Sequence, residues 1–381
     1  MKKRYAKQEN LNKNIPLLGA SSFFNDIGSE MITPILPCYI TALGGTGLAV
    51  GLLSGLREGL SSLFKLAGGW FSDKTGKRKP FVFFGYIFSI ISRLLLALVN
   101  SWQYILALIS LERIGKSRDA PRDALITEST KKIGKGFGLH QAMDTSGAII
   151  GTFLVIFLFW KYNLGFKTII IIAGLISILS IMPLFFVKEK KVKPVKRNFI
   201  KTLFSLDKKL RYILFVFVIF TIANFGLYMF LILRAKQITN SIIMPLFLYI
   251  VFSLTYALFA TPFGSLSDKI GRKKTLLIGY FLFLVVSFSF IFISTLTWLF
   301  ILFALYGLVY AITQPNQKAF VSNLSKEKAT SLGIYYFATG LVNIPAGLIA
   351  GILWDISFTT MFYYTSFISL ISILLLVLVK E

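Results

Sequence analysis

Stretches of about twenty predominantly apolar residues recur along the whole chain, and that recurrence leaves few folds open. About twenty residues of helix are what a hydrocarbon core of roughly 30 Å requires. Twelve such stretches, called spans 1 to 12 below, are predicted at about 16–41, 48–71, 80–99, 103–126, 137–160, 166–187, 211–233, 243–265, 275–293, 298–320, 331–353 and 360–379. The 55% apolar and 15% aromatic content of the 381 residues agrees, since soluble domains of this length are less apolar. Backbone in lipid must satisfy its own hydrogen bonds, which makes the spans helices and the chain an all-α membrane protein. The opening "MKKRYAKQENLNKNIPLLGA" is not read as a cleaved signal, because the apolar run after it is too long and lacks a small-residue cleavage site. Cys38 is the one cysteine, which excludes an intrachain disulfide and thiolate metal clusters.

A formal net charge of +25 raises a nucleic-acid reading, and its distribution removes the need for one. With the N-terminus placed inside, the outer loops hold only Lys161, Lys167, Arg234 and Lys236, whereas the stretch 187–211 alone holds ten Lys and Arg. The positive-inside rule then puts both termini in the cytoplasm of a multi-pass protein of the cell membrane. That same basic stretch, "VKEKKVKPVKRNFIKTLFSLDKKLR", divides the spans six and six. The expected organisation is a cytoplasmic N-terminus over 1–15, a six-helix bundle over 16–187, a basic linker over 188–210 and a second bundle over 211–381. Phe199, Leu203 and Leu206 are at helical spacing, so part of the linker can lie on the inner leaflet.

The two halves carry a repeat. "GWFSDKTGKRKP" from Gly69 follows span 2 and "GSLSDKIGRKKT" from Gly264 follows span 8, 195 positions later. An internally duplicated bundle is an architecture of secondary transporters. On these motifs, the twelve spans and the central linker, the chain resembles the major facilitator superfamily over essentially its whole length. "FFNDIGSEMITPILP", "ERIGKSRDAPRDALI" and "GLHQAMDTSGAIIG" resemble more narrowly an archaeal and bacterial branch of it. The resemblance implies two pseudo-symmetric bundles and a cytoplasmic gate of Gly69, Asp73, Gly76, Arg78, Gly264, Asp268, Gly271 and Arg272. In it Asp73 would face the start of span 11 near Ser331 to Gly333, and Asp268 the start of span 5 near Gly136 to Gly138, where helix N-termini favour an anion. Gly76 and Gly271 would permit the tight turn, and the bases after them would anchor among anionic head groups. Span 5 departs from the drug-exporter pattern: "GAIIGT" lacks the proline and glycine pair of G-P-x-x-G-G.

Ionisable residues inside a bilayer are costly and stand as functional candidates. They concentrate in the first half: Asp26 and Glu30 in span 1, Arg57, Glu58 and Lys65 in span 2, Arg93 in span 3, the cluster from Glu112 and Arg113 to Asp123 in span 4, and Asp144 in span 5. Asp26 and Glu30 share a helix face and are read as a proton-carrying pair, or as carboxylates neutralised by Arg113 or Arg57. His140 and Asp144, also four apart, are read as a proton shuttle or a structural pair. In span 4, Glu112 with Lys116 and Asp119 with Arg122 are at pairing distance, Pro121 is expected to interrupt the ladder, and Arg118 and Arg122 are expected near Asp73. The second half offers uncharged stripes instead: Tyr306, Tyr310 and Gln314 in span 10 and Asn224 with Tyr228 in span 7, read as substrate-cavity residues or as packing. Glycines every fourth residue, Gly51, Gly55 and Gly59 in span 2 and Gly147 and Gly151 in span 5, are read as close-packing surfaces along which the halves slide.

The resemblance and these residues together imply a secondary active transporter working by alternating access, proton-coupled through Asp26, Glu30 and Arg113, with Arg57, Glu58 and Asp144 in the same set. No P-loop, metal cluster or nucleophile and base set is present in the sequence, so neither an enzyme nor a cofactor is expected. The expected partners are a small-molecule substrate and the lipid bilayer, not nucleic acid, and the chain is expected to act as a monomer. The competing readings are a non-transporting membrane sensor on the same scaffold, and a uniporter or an exporter of drugs, metals or organic anions.

Overall fold

The computed structural model describes residues 13–130, 133–189, 207–324 and 328–379. The linker helix expected around Phe199 to Leu206 lies outside them. All twelve spans are helical. Span 1 is Asn14–Ile32 and Leu36–Ala42 about a tight turn, Thr33–Ile35. Span 2 is Gly47–Thr75 and span 3 Lys79–Leu96. Span 4 is Trp102–Ile114 and Asp119–Ser129 about Gly115–Arg118. Span 5 is Ile133–Tyr162, and span 6 is Phe166–Ile178 and Met182–Phe186 about Leu179–Ile181. Span 7 is Lys208–Ala223 and Tyr228–Thr239. Spans 8 to 12 are Ile243–Ile270, Arg272–Ser289, Leu296–Leu324, Lys328–Ile356 and Phe358–Val377. Among the described residues, eight of these are long and apolar enough to cross a membrane by themselves. Spans 1, 2, 4 and 9 are the other four.

The breaks in spans 4 and 6 have a common cause. Proline lacks an N–H and crowds the carbonyl four residues earlier. For Pro121 that carbonyl is Ser117 and for Pro183 it is Leu179, and each falls in a 3-10 turn. The interruption expected at Pro121 itself therefore lies one turn before it. Pro262, Pro315 and Pro345 sit inside continuous helices, while span 7 breaks without a proline, at Gly226 with φ +84°. The duplicated motif also sits differently from a loop. The helices of spans 2 and 8 run on through Gly69 and Asp73 and through Gly264 and Asp268. Only Gly76 and Gly271 make the turn, at φ +67° and +95°.

Contacts divide the described residues into two units. The first takes the chain up to Tyr39 and from Leu60 into the linker; the second takes Ile40–Gly59 and the chain after the linker. Span 2 thus contributes its first half to the second unit. In the first unit, spans 1 and 5 are in backbone contact, because a Cβ on Gly147 or Gly151 would fall on the carbonyl of Phe23 or Ile27. These two glycines pack inside one unit, which replaces the sliding surface expected of them. In the second unit, Gly51 and Gly55 lie on the backbone of span 11 at Gly347 and Asn343. Large apolar residues such as Leu98, Trp160, Phe186, Leu258 and Phe292 are exposed, as lipid-facing residues are in a protein without a water-facing belt.

The same packing caps span 2. Asp355, at the end of span 11, accepts from the backbone N–H of Gly47 at 2.6 Å and of Leu48 at 2.9 Å. An acidic residue on the first N–H groups of a helix satisfies donors that have no intrahelical acceptor. Asp355→Ala is expected to destabilise the purified protein by about 1 kcal/mol, read as a lower midpoint in thermal unfolding in detergent, with Asp355→Asn losing less.

Candidate functional site

In the first unit, polar side chains form a continuous buried path. Arg93, 2% exposed, donates from Nε and Nη2 to Glu112 Oε1 at 3.1 and 2.9 Å. Its Nη1 donates to the Asn25 backbone and side-chain oxygens, both at 3.0 Å, and to Ser177 Oγ at 2.8 Å. The other oxygen of Glu112 takes Arg113 Nη2 at 2.6 Å. Asn25 passes the chain on, with Nδ2 donating to Asp26 Oδ1 at 2.8 Å. Charges that leave water need such full hydrogen bonding to repay desolvation. The pairing expected between Glu112 and Lys116 is replaced by the two arginines, and Lys116 lies 3.9 Å from Asp119 instead. A lysine at i+4 gave way to an arginine on the facing helix, whose rigid guanidinium puts two N–H groups on Glu112 Oε1 at once.

Spans 1 and 5 meet in two rungs one turn apart. Ser22 Oγ is 2.9 Å from His140 Nε2, and four residues on, Asp144 is within side-chain hydrogen-bonding reach of Asp26. Residues four apart point the same way on each helix. Where two such faces meet, each side chain finds the opposite helix and not its own neighbour. His140 is therefore paired with Ser22 and not with Asp144, and the carboxyl partner of Asp26 is Asp144. Glu30 is half-buried one turn further along span 1. Ser22 also bonds Tyr86 Oη at 3.0 Å and accepts from Arg122 Nη1 at 3.3 Å.

Below these rungs lies the charged end of span 4. Asp119 gathers Lys65 at 3.3 Å and Arg122 at 3.6 Å, and Arg122 also pairs with Asp123 at 3.1 Å. Arg118, expected near Asp73, is turned inward and 1% exposed. Its Nη1 donates to Ser89 at 2.7 Å and to the carbonyl of Gly115 at 2.9 Å, and its guanidinium lies over the Tyr86 ring. The basic partner of Asp73 within its unit is Arg78, at 3.3 Å, which also pairs with Glu128 at 2.7 Å. In the second unit the equivalent pair is Asp268 with Arg272, at 2.8 Å. The lysines of the two motifs are not all anchors among head groups. Lys79 Nζ caps the carbonyls of Phe185 and Val187 at the end of span 6, at 3.1 and 2.8 Å. Lys273 Nζ does the same for Val377 and Val379 at the end of span 12, at 2.9 and 2.6 Å. Helix C-termini present unpaired carbonyls, and cations are favoured there.

In the second unit the stripes of spans 7 and 10 meet. Tyr306 Oη donates to Asn224 Oδ1 at 2.7 Å. Phe252 of span 8 stacks on Tyr306 with centroids 5.3 Å apart and meets Tyr310 edge-on at 5.2 Å. Tyr256 reaches Tyr310 at 6.0 Å and Tyr249 reaches Tyr228 at 5.9 Å. Tyr306 is buried, while Tyr228, Tyr310 and Gln314 are half-buried. Of the charged neighbours in span 2, Arg57 is buried and Glu58 exposed. Sequence reasoning missed Gln317, which joins Tyr280 and Tyr335 by hydrogen bonds of 2.8 Å each. It also missed Asn14, whose side chain ties Ser129 to the backbone of Lys188. Each is one amide in an apolar or basic stretch, a signal that only the partner makes legible.

A family model described as Major Facilitator Superfamily matches residues 18–248 and 234–381. An uncharacterized MFS-type transporter of Methanocaldococcus jannaschii is 46% identical over 390 aligned residues, covering 100% of this chain and 98% of the relative. The multidrug resistance protein MdtH of Blochmanniella floridana is 24% identical and covers 92% and 89%. Among solved structures, a variant of the nucleoside transporter NupG superposes with a TM-score of 0.84 at 14% identity, over 96% of this chain and all of that one. A peptide transporter of the POT family superposes with a TM-score of 0.80, also at 14% identity, over 96% and 94%. At such identities the likeness is one of fold.

Proposed function

We propose that this chain, which belongs to the major facilitator superfamily, is a proton-coupled secondary transporter that carries a small solute across the cell membrane by alternating access. Membership makes it a multi-pass membrane transporter; the coupling and the cycle are inferred. The observation that carries the coupling is the meeting of Asp26 and Asp144 at the interface of spans 1 and 5. A hydrogen bond between two carboxyl groups exists only while one of them holds a proton. Asp26 is 12 residues into its helix, about 18 Å from its start, so that proton would sit deep in the span. Asn25, Arg93, Glu112 and Arg113 link the pair to span 4, so gain or loss of the proton is felt along a path that reaches the charged end near Asp119 through Ser22 and Arg122. Glu30, Arg57 and Glu58 are assigned as cavity-lining residues, each within its own unit, and Asn224, Tyr228, Tyr306, Tyr310 and Gln314 to the substrate.

In this reading the bundles are residues 16–187 and 211–381, joined by a cytoplasmic linker with both termini inside. The two motif aspartates, Asp73 and Asp268, with Arg78 and Arg272, form the cytoplasmic gate, and Arg122 supports it from span 4. Relatives that carry nucleosides, peptides and drugs are consistent with a small molecule as the substrate. The test is uptake into vesicles of the purified protein, screened over sugars, organic acids, nucleosides, peptides and organic cations. For the solute that is moved, an imposed pH gradient should drive accumulation, and Asp26→Asn or Asp144→Asn should cut that accumulation at least tenfold while solute exchange without a gradient persists. Accumulation that responds to pH in both variants as in the wild type would remove the coupling role.

A further inference from the structure

The second unit contains a construction that the coupling path does not use. Span 7 is broken between Ala223 and Tyr228, and Gly226 is held at φ +84°. Ser54 of span 2 donates to the carbonyls of Phe225 and Gly226 at this break, at 2.8 and 3.1 Å. Glu58 is one turn further along the same face of span 2, and Tyr310 is one turn beyond Tyr306, which bonds Asn224 beside the same break. Glu58 lies near enough to Tyr310 to act electrostatically on that phenol. Tyr228, Tyr256 and Tyr310 present half-buried rings there, backed by Phe252 and Tyr306.

We propose that the broken span 7, the tyrosine wall and Glu58 form a binding site for an organic cation with a flat or branched apolar body. Two features of the site favour that class. Ring faces attract a cation, most strongly when water is excluded. Glu58 supplies the full negative charge, and it is exposed where a structural ion pair would be covered. The nearby cations do not cancel it. Arg57 is buried and points about 100° away around the helix. Lys318 lies over Tyr336, two turns, or about 12 Å, beyond Tyr310. Neutral aromatic solutes would use the rings but leave Glu58 unmatched, and anions would be repelled by it.

This assignment rests on the transport reading for its purpose, but its test does not depend on transport. The full-length protein in detergent is titrated calorimetrically with tetraphenylphosphonium, with the smaller benzyltrimethylammonium, and with neutral triphenylphosphine oxide. At least one cation is expected to bind ten times more tightly than the neutral compound. Glu58→Gln and Tyr310→Leu should each weaken that cation at least tenfold, while Tyr310→Phe, which keeps the ring, stays within threefold. Thermal unfolding of each variant separates lost binding from lost folding, and Glu58→Asp, which keeps the charge, should retain most of the affinity. Equal binding of the neutral compound, unchanged binding by folded Glu58→Gln, or no binding of either cation overturns the proposal. Cation binding without uptake into vesicles would sink the transport reading and leave the site; uptake of another solute without cation binding would do the reverse.

Discussion

Replacing Arg93 with alanine is expected to destabilise the first unit by about 3–5 kcal/mol, the range for breaking a buried ion pair by removing one member. Five hydrogen bonds leave this guanidinium, and their acceptors come from spans 1, 4 and 6 while Arg93 itself is on span 3. Its loss takes two hydrogen bonds from Glu112 and leaves Asn25 and Ser177 without the guanidinium donor. Arg93→Lys should recover only part of the loss, because an ammonium cannot meet Glu112 with two parallel N–H groups. Thermal unfolding in detergent checks this against Glu112→Gln. If the charges are the main cause, the triple variant Arg93→Met with Glu112→Leu and Arg113→Met should be more stable than Arg93→Ala, since removing Glu112 together with both of its arginines leaves none of the three charges unpaired. A triple variant no better than the single one would show that the bonds to Asn25 and Ser177 matter more.

The second large effect is expected at Gly51. A Cβ there would fall on the carbonyl oxygen of Gly347, and a Cβ on Gly347 would fall on that of Gly51. The obstruction is backbone, so no rotamer relieves it. Gly51→Val is expected to force spans 2 and 11 apart, costing about 1–3 kcal/mol as overpacking does, and to reduce vesicle uptake to background because the cap from Asp355 and the clasp from Ser54 both depend on that approach. Gly51→Ala should be intermediate. Gly264 is the control for stability: nothing lies within 4 Å of its would-be Cβ, and alanine is the better helix former. Gly264→Ala that destabilises as much as Gly51→Ala would mean that crowding is not the cause.

How far the sequence could be read varied with the kind of interaction. The twelve spans followed from hydropathy because lipid forces every backbone group to bond within its own segment. The helix break before Pro121 was legible as a proline but misplaced by a turn, since the disturbed carbonyl belongs to the residue four earlier. The break in span 7 left a weaker trace, a single glycine after Asn224. Pairings assigned along one helix, Glu112 with Lys116 and His140 with Asp144, were replaced by pairings across helices. Asp119 with Arg122 alone survived among the span 4 pairs, because both remain on one turn and no facing arginine competes for that carboxylate.

The sequence by itself determined that this is a membrane protein of twelve helices with a duplicated basic motif, and that its charges inside the bilayer belong to the first half. Those properties are local: they depend on composition over one span or on a short run of residues. Only the tertiary structure decided that Asp26 meets Asp144, that Arg93 is the hub of the buried network, that Arg118 turns into its own unit, and that Glu58 comes within electrostatic range of Tyr310. A side chain's partner is set by which helix faces are pressed together. That register is decided by glycines such as Gly147 and Gly151 that let backbones touch, and the spacing of residues within one helix does not contain it.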